Sequence, residues 1–422
     1  MKVIIIGAGP GGLTAALHLH RLGVEVSVHE SVRPMKPLGV GINLLPHAVR
    51  ELTILGLDPA LAAASIATGE LAYYNKAGSL IWREPRGRAA GYHWPQYSIH
   101  RGRLQMLLYD AAVERLGRGQ VHAGHHLAGF EQDGAGVTAR FTDRTTGEPV
   151  GEERGDVLIG ADGIHSVVRR AFYPSEATPP FGGRILWRGI TEGPPFLTGK
   201  TMIMAGHPDV KFVAYPICPD TAARGRALIN WIAELQEGGG KAPIPRDWNR
   251  LADREHFAPA FAGMKFDWLD APALIAGAPE VYEFPLVDRD PVPRWTFDRV
   301  TLLGDAAHPM FPIGSNGASQ AILDAAALAD ALVTDPDPLA ALRKYEDRRL
   351  APTSQLVLNN RRHGPEIVMK LAEERAPQGF KDVSEVFAPG ELAEIAQKYK
   401  VAAGFDRERL NSLGQGSAPA VR

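Results

Sequence analysis

The sequence predicts an α/β protein: an open, Rossmann-like parallel sheet, interrupted by an inserted, mostly antiparallel sheet and followed by C-terminal helices. Three observations predict it. The chain opens with strand, glycine-rich turn, helix and second strand. Two later apolar strands, ending near Gly160 and Gly304, run into glycine–acid turns. Stretches between them alternate with period two, as in Lys211-Phe212-Val213-Ala214-Tyr215 and Ala227-Leu228-Ile229-Asn230-Trp231-Ile232, the pattern of a sheet with two distinct faces.

Size and composition bound the rest. A chain of 422 residues suits two or three packed substructures. It is 45% hydrophobic and 22% charged, which excludes disorder, coiled coil and collagen for its bulk. Lys and Arg number 46 against 48 Asp and Glu, so 46 − 48 = −2. No large positive field draws the chain to nucleic acid or anionic membrane, and neither partner is expected. Cys218 is the only cysteine. An internal disulfide and a cysteine-held metal cluster are thereby excluded, and a cytoplasmic location is expected. The apolar run Val3–Ile6 breaks at Gly7, short of a signal-peptide core or a membrane span. The stretch from Gly414 to Arg422 is expected to be a loose tail.

The first thirty residues carry the strongest local signal. Val3–Ile6 leads into Gly7-Ala8-Gly9-Pro10-Gly11-Gly12, a helix follows, and the strand Val24–His29 ends at Glu30. Strand, G-x-G-x-x-G, helix, strand and acid come in dinucleotide-binding order. Gly7 permits the tight turn, Gly9 lets a pyrophosphate approach the backbone, and Gly12 lets the helix pack against the strand. The helix N-terminus offers free N–H groups and positive potential to phosphate. Glu30 can accept hydrogen bonds from the adenosine ribose hydroxyls. These residues alone leave FAD and NAD equally open.

Two further motifs narrow the choice. Val157-Leu158-Ile159-Gly160-Ala161-Asp162-Gly163 is followed by Ser166 and Arg169 on a short helix. Val300-Thr301-Leu302-Leu303-Gly304-Asp305 leads through Pro312, Gly314, Asn316 and Gly317 into a helix from Ala318 to about Val333, whose apolar positions recur at three and four. Asp305 ends a strand at the ligand-binding edge of an open sheet, where a carboxylate can hold a polyhydroxyl chain. Gly314 and Gly317 let backbone N–H groups at a helix start face an electron-rich ring edge.

Taken together, the three motifs resemble single-component flavoprotein aromatic hydroxylases of the salicylate and p-hydroxybenzoate hydroxylase type. Leu38–Asn43, Gln96–Gly102, Trp187–Gly189, Val213–Ile217, Val287–Pro291 and Asn316–Asp324 are similar to the phenazine-1-carboxylate-type monooxygenase branch. The likeness covers residues 1 to about 350. It implies an FAD-binding domain of the glutathione-reductase type. It implies that Gly7, Gly9 and Gly12 hold the pyrophosphate and Glu30 the ribose, that Arg101 contacts FAD, and that Leu127 gives a backbone contact to adenine. Asp305 is then the ligand of the ribityl chain, and the Gly314–Gly317 backbone faces the flavin pyrimidine edge. Gly41, Asp162, Pro312 and Asn316 complete the implied cofactor set.

The implied reaction is a monooxygenation. NADH or NADPH reduces FAD, O2 adds to form a flavin C4a-hydroperoxide, and an aromatic or N-heteroaromatic small molecule is hydroxylated, with or without decarboxylation. The alternatives are an oxidase or halogenase-like flavoenzyme, or a non-catalytic carrier on the same fold. The halogenase Trp-x-Trp-x-Ile-Pro signature is absent, and the complete Gly304–Asp305 motif argues against a carrier. A monomer or homodimer is expected.

The expected division is an FAD domain from 1–71, 98–175 and 286–350, a substrate sheet from 72–97 and 176–285, and C-terminal helices and tail over 351–422. Weak catalytic candidates are His308, Tyr215 and Arg188, with Met204, Trp231 and Phe311 as further pocket candidates. His122, His125 and His126 are close in sequence but have no carboxylate at a ligand spacing, so a surface turn is expected and no metal site. Arg361 and Arg362 are expected on a solvated helix face.

Overall fold

A computed structural model describes residues 1–37, 39–177, 179, 181–238 and 250–414. Of the expected loose tail, only Gly414 lies within the described residues.

Lys2–Ile6 is the centre of a five-stranded sheet in the order Val300–Leu302, Val157–Gly160, Lys2–Ile6, Glu25–Glu30, Val121–Ala123. All four pairings are parallel. Val3, Ile4 and Ile5 are fully buried, as a strand covered on both faces requires. All three motif turns leave this sheet at the same edge, because each follows the C-terminal end of a parallel strand. The helices Pro10–Arg21 and Gly317–Thr334 pack against each other here. A Cβ on Gly11 would lie 2.7 Å from Leu303 Cδ2 and 3.1 Å from Ala321 Cβ, so the close approach needs glycine.

The second layer is a seven-stranded sheet in the order Val281–Val287, Phe181–Gly193, Ala227–Gln236, Val210–Cys218, Thr201–His207, Glu70–Tyr74, Leu80–Pro85. Its pairings are antiparallel except for Thr201–His207 with Glu70–Tyr74. The two faces carry different cores. Trp187, Phe212 and Trp231 pack on one side with Phe257 and Phe261; the Trp187 and Phe257 rings stack at 4.7 Å. The other side gathers Met202, Met204, Val213 and Tyr215 with Val368, Met369, Phe387 and Leu392. The helices Ile367–Arg375 and Glu391–Ala402 therefore lie over the second face.

A three-stranded sheet couples the layers. Gly41–Leu44 pairs with Tyr97–His100, setting Gly41 opposite His100 and beside Arg101. The helix Pro338–Arg361 runs through residue 350 without a break, so the C-terminal segment grows out of the first domain.

Arg361 corrects the expectation of a solvated face. It donates to both oxygens of Asp288, at 2.7 and 3.0 Å, and to Asp290 at 2.7 Å. Asp288 is only 1% exposed, and the bidentate pair ties the end of the long helix to the end of the strand Val281–Val287. Arg362 is exposed. The histidines are corrected too. His122 stacks on His29 at 4.7 Å, His125 lies 3.2 Å from His29 through their Nδ1 atoms, and Glu153 reaches His29 Nε2 at 2.6 Å. Three strands and a turn thus bring together what sequence spacing separates, including the carboxylate. One ligand atom each from His29, His122 and Glu153 lies within 4.8 Å of the others, and Glu153 is also paired with Lys2.

Replacing Arg361 with Ala would strand a buried carboxylate; a loss of about 3 kcal/mol is expected in urea unfolding, with partial recovery in Arg361→Lys. His47 supplies a pH test. Burial pushes its pKa down to about 3 from 6.5. Between those values the unfolded chain binds a proton that the folded chain refuses, so stability falls as pH falls. The His47→Gln variant should lose about 1.4 kcal/mol per pH unit of that decline, read from urea midpoints between about pH 6 and pH 4.

Candidate active site

A cavity of about 340 Å³ opens where the edge of the parallel sheet meets the seven-stranded sheet. Two helix N-termini face it. Pro10–Arg21 has Gly9 at its N-cap and Gly317–Thr334 has Asn316, and neither cap residue makes a side-chain capping bond. Gly9, Pro10, Gly11, Gly317 and Ala318 line the cavity. A Cβ on Gly9 would have open space within 4 Å, whereas one on Gly12 would lie 2.0 Å from Gly7 O. The loop is thus tight on its protein side and open on its cavity side, which fits close approach by a pyrophosphate. Gly7 has φ +105°, a conformation that demands glycine. Glu30 accepts from Ala8 N–H at 2.9 Å and from Val32 N–H at 2.9 Å, so its carboxylate also holds the loop in shape.

The turn after Leu302 forms the floor. Asp305 opens into the cavity, and the surrounding protein pushes its pKa up, with His308 and Arg101 opposing. Asp324, on the helix Gly317–Thr334, accepts from Gly304 N–H at 3.1 Å, pairs with His308 Nε2 at 2.5 Å and accepts from Arg349 Nε at 2.6 Å. Burial alone would raise the Asp324 pKa, but His308 and Arg349 outweigh it and hold it at about 2. His308 is buried and does not line the cavity. Its contact with Asp324 braces the turn from the side away from the cavity. Sequence reasoning missed Asp324. Its signal was a lone acid on the buried face of an apolar helix, three residues from Ala321 and four from Leu328.

The roof is one face of the seven-stranded sheet. Strand alternation puts Leu186 and Arg188, Met202 and Met204, Lys211, Val213 and Tyr215, and Ile232 and Glu234 on it. Arg188 donates to Gly41 O at 2.8 Å and lies 5.7 Å from the Phe284 ring. Its Nε has no partner among the described residues. Burial pushes the Tyr215 phenol up to about 12, against the pull of Arg188, so the phenol stays neutral. Asn230 accepts from Gly41 N–H at 2.6 Å. Trp231 corrects the pocket expectation: it is fully buried on the opposite face and donates to Thr191 Oγ1 at 3.0 Å. Phe311 is not among the lining residues, although Met310 and Pro312 are.

Of the expected cofactor set, Gly9, Gly41, Arg101, Asp305, Pro312, Asn316 and Gly317 line this cavity. Gly7 and Gly12 form the back of the loop. Leu127 is buried in the strand His126–Gln132. Asp162 accepts from Ser166 Oγ at 2.5 Å and Val167 N–H at 2.7 Å, so its carboxylate caps the helix Val167–Phe172. Gly314 sits in a turn with φ +68°, where a Cβ would lie 1.9 Å from Tyr399 Oη. Tyr399 Oη accepts from Asn316 Nδ2 at 2.8 Å and contacts Asn360 Oδ1 at 3.1 Å. A residue from the C-terminal segment, where the sequence offered no motif, thus buttresses the turn expected to face the flavin.

The chain and its fold have counterparts among known proteins. The chain is 45% identical to phenazine 1,6-dicarboxylic acid hydroxylase PhzS of Lysobacter antibioticus over 361 residues, 85% of this chain and 89% of the relative. It is 30% identical to 6-hydroxynicotinate 3-monooxygenase of Bordetella bronchiseptica, covering 84% of this chain and 89% of the relative. Among solved structures it superposes on Klebsiella pneumoniae HpxO complexed with FAD and uric acid with a TM-score of 0.72 at 25% identity, over 98% of this chain and 95% of that one.

Tyr399→Phe keeps the ring and removes one hydroxyl. About 1 kcal/mol of stability should be lost, and the flavin dissociation constant should rise in a fluorescence titration; an unchanged constant would refute the buttressing role. The family described as FAD binding domain matches residues 1–360. With the loop, the Gly304–Asp305 turn and these relatives, the chain belongs to that family and is an FAD-dependent monooxygenase of the aromatic-hydroxylase kind.

Proposed function

We propose that the enzyme hydroxylates a planar aromatic or N-heteroaromatic acid, with or without loss of its carboxyl group, in the space between bound FAD and the seven-stranded sheet. In this reading Gly7, Gly9 and Gly12 admit the pyrophosphate, Glu30 the ribose and the backbone at Leu127 the adenine, and Arg101 contacts FAD. Asp305 holds the ribityl chain, and the 314–317 backbone takes the pyrimidine edge. When bound, FAD supplies the redox chemistry, accepting hydride from NADH or NADPH and activating O2 for transfer of one oxygen atom to the ring.

The chain's own part is to bind, orient and keep water out. Arg188 is a half-buried cation on the cavity wall, suited to a ring carboxylate. Tyr215 offers a neutral hydroxyl beside it. Leu186, Met202, Met204, Val213 and Ile232 form a dry apolar strip for a flat ring. An electron-releasing hydroxyl or amine on the ring itself drives the attack, so no protein base is demanded. Relatives named for phenazine dicarboxylate and hydroxynicotinate support a nitrogenous ring acid. A cytoplasmic monomer or homodimer is part of this proposal.

The observation that carries the reading is a cavity bounded by two helix N-termini without side-chain caps on one side and by Arg188, Tyr215 and an apolar strip on the other. A panel of aromatic and N-heteroaromatic acids, scored by NADH and NADPH oxidation and by product mass, tests it. Gain of one oxygen atom, or exchange of carboxyl for hydroxyl, is expected; reductant use with no oxygenated product from any acid would sink it. Asp305→Ala should purify with little flavin and turn over no substrate, and wild-type flavin content there would remove Asp305 from the site.

A further inference from the structure

One feature of the roof has no part in the roles above. Lys211 Nζ lies 2.8 Å from Glu234 and 2.5 Å from Glu366, and all three residues are buried and line the cavity. Arg184 reaches Glu234 at 3.2 Å. The four charges therefore cancel. The strand register sets Lys211 against Glu234 and Tyr215 against Asn230. Four residues separate Lys211 from Tyr215 on one strand, about 13 Å, with Val213 between them on the same face. Arg188 shares the Val213 row through Ile232, and its side chain reaches Gly41, which is held by Asn230 opposite Tyr215, so the guanidinium and Tyr215 lie to one side of Val213 and Lys211 to the other.

A lysine ammonium has three N–H donors, and the two glutamates use two. The third is left for an occupant of the cavity. A flat ring that fills the strip would bring any polar substituent at that end against Lys211 or leave it unpaired, which is costly in a dry site. Burial keeps Glu366 above the usual carboxylate range, with Lys211 opposing.

We propose that Lys211, gripped by Glu234 and Glu366, is a second substrate anchor, taking an oxygen acceptor on the ring at the end opposite Arg188. The enzyme then selects elongated, fused-ring substrates carrying an oxygen function at each end. This rests on the reading of the cavity as the substrate site.

Lys211→Met alone would strand two buried carboxylates and risks misfolding. The test variant is Lys211→Met/Glu366→Met, in which Glu234 keeps Arg184. Dissociation constants of phenazine-1,6-dicarboxylate and phenazine-1-carboxylate are measured by calorimetry on oxidised, flavin-loaded wild type and variant. The wild type should prefer the diacid by about 10- to 100-fold, and the variant's preference should fall to within about twofold. Partial misfolding lowers the active fraction for both ligands and leaves their ratio intact. A wild type without preference, or a variant that keeps it, would overturn the second anchor while leaving the substrate site standing. Failure of both acids to bind the wild type would instead overturn the ring-acid reading, and the anchor with it.

Discussion

The cavity depends on one buried carboxylate. Asp324 meets His308, Arg349 and the Gly304 N–H at a single point. Burying a charge is costly unless it is paired and hydrogen-bonded, and here every partner is a donor. The chain must therefore pass through Gly304 in one conformation, at φ +61°, which sets the position of Asp305. The neighbourhood reinforces it: Tyr345 donates to Leu302 O at 3.0 Å, and Trp295 packs on His308.

The proposed cofactor and substrate surfaces are built from different materials. The cofactor side is largely backbone: two helix N-termini and glycine turns, whose N–H groups and dipoles suit phosphate and an electron-rich ring edge. The substrate side is largely side chain, displayed by strand alternation. The cofactor surface therefore tolerates little change, because a Cβ at Gly7, Gly12 or Gly314 would meet protein atoms at 2.4, 2.0 and 1.9 Å. The roof positions can change chemistry with the sheet left intact.

The C-terminal segment joins the two surfaces. Tyr399 and Ala403 hold Asn316 and Gln320 from outside the helix Gly317–Thr334, while Glu366 reaches Lys211 on the roof. Arg361 anchors the start of that segment on Asp288. A stretch that reads in sequence as undistinguished helix thereby contacts both the turn at Asn316 and the cavity wall at Lys211.

The parallel sheet, the glycine loops and the helix after Gly317 were legible in the sequence because each rests on local physics: apolar runs, positive φ and helical periodicity act over a few residues. So was the parity that puts Lys211, Val213 and Tyr215 on one face. Contacts between distant segments were not legible. Nothing near Arg361 in sequence announces Asp288, nothing near Asp324 announces Arg349, and nothing near the three histidines announces Glu153. Trp231 and Tyr215 looked equally good as pocket residues until the sheet acquired a cavity side and a core side. Only the tertiary structure decided these matters, because a buried charge or ring is assigned its partner by what packs against it, and packing is set by chain segments far apart in the sequence.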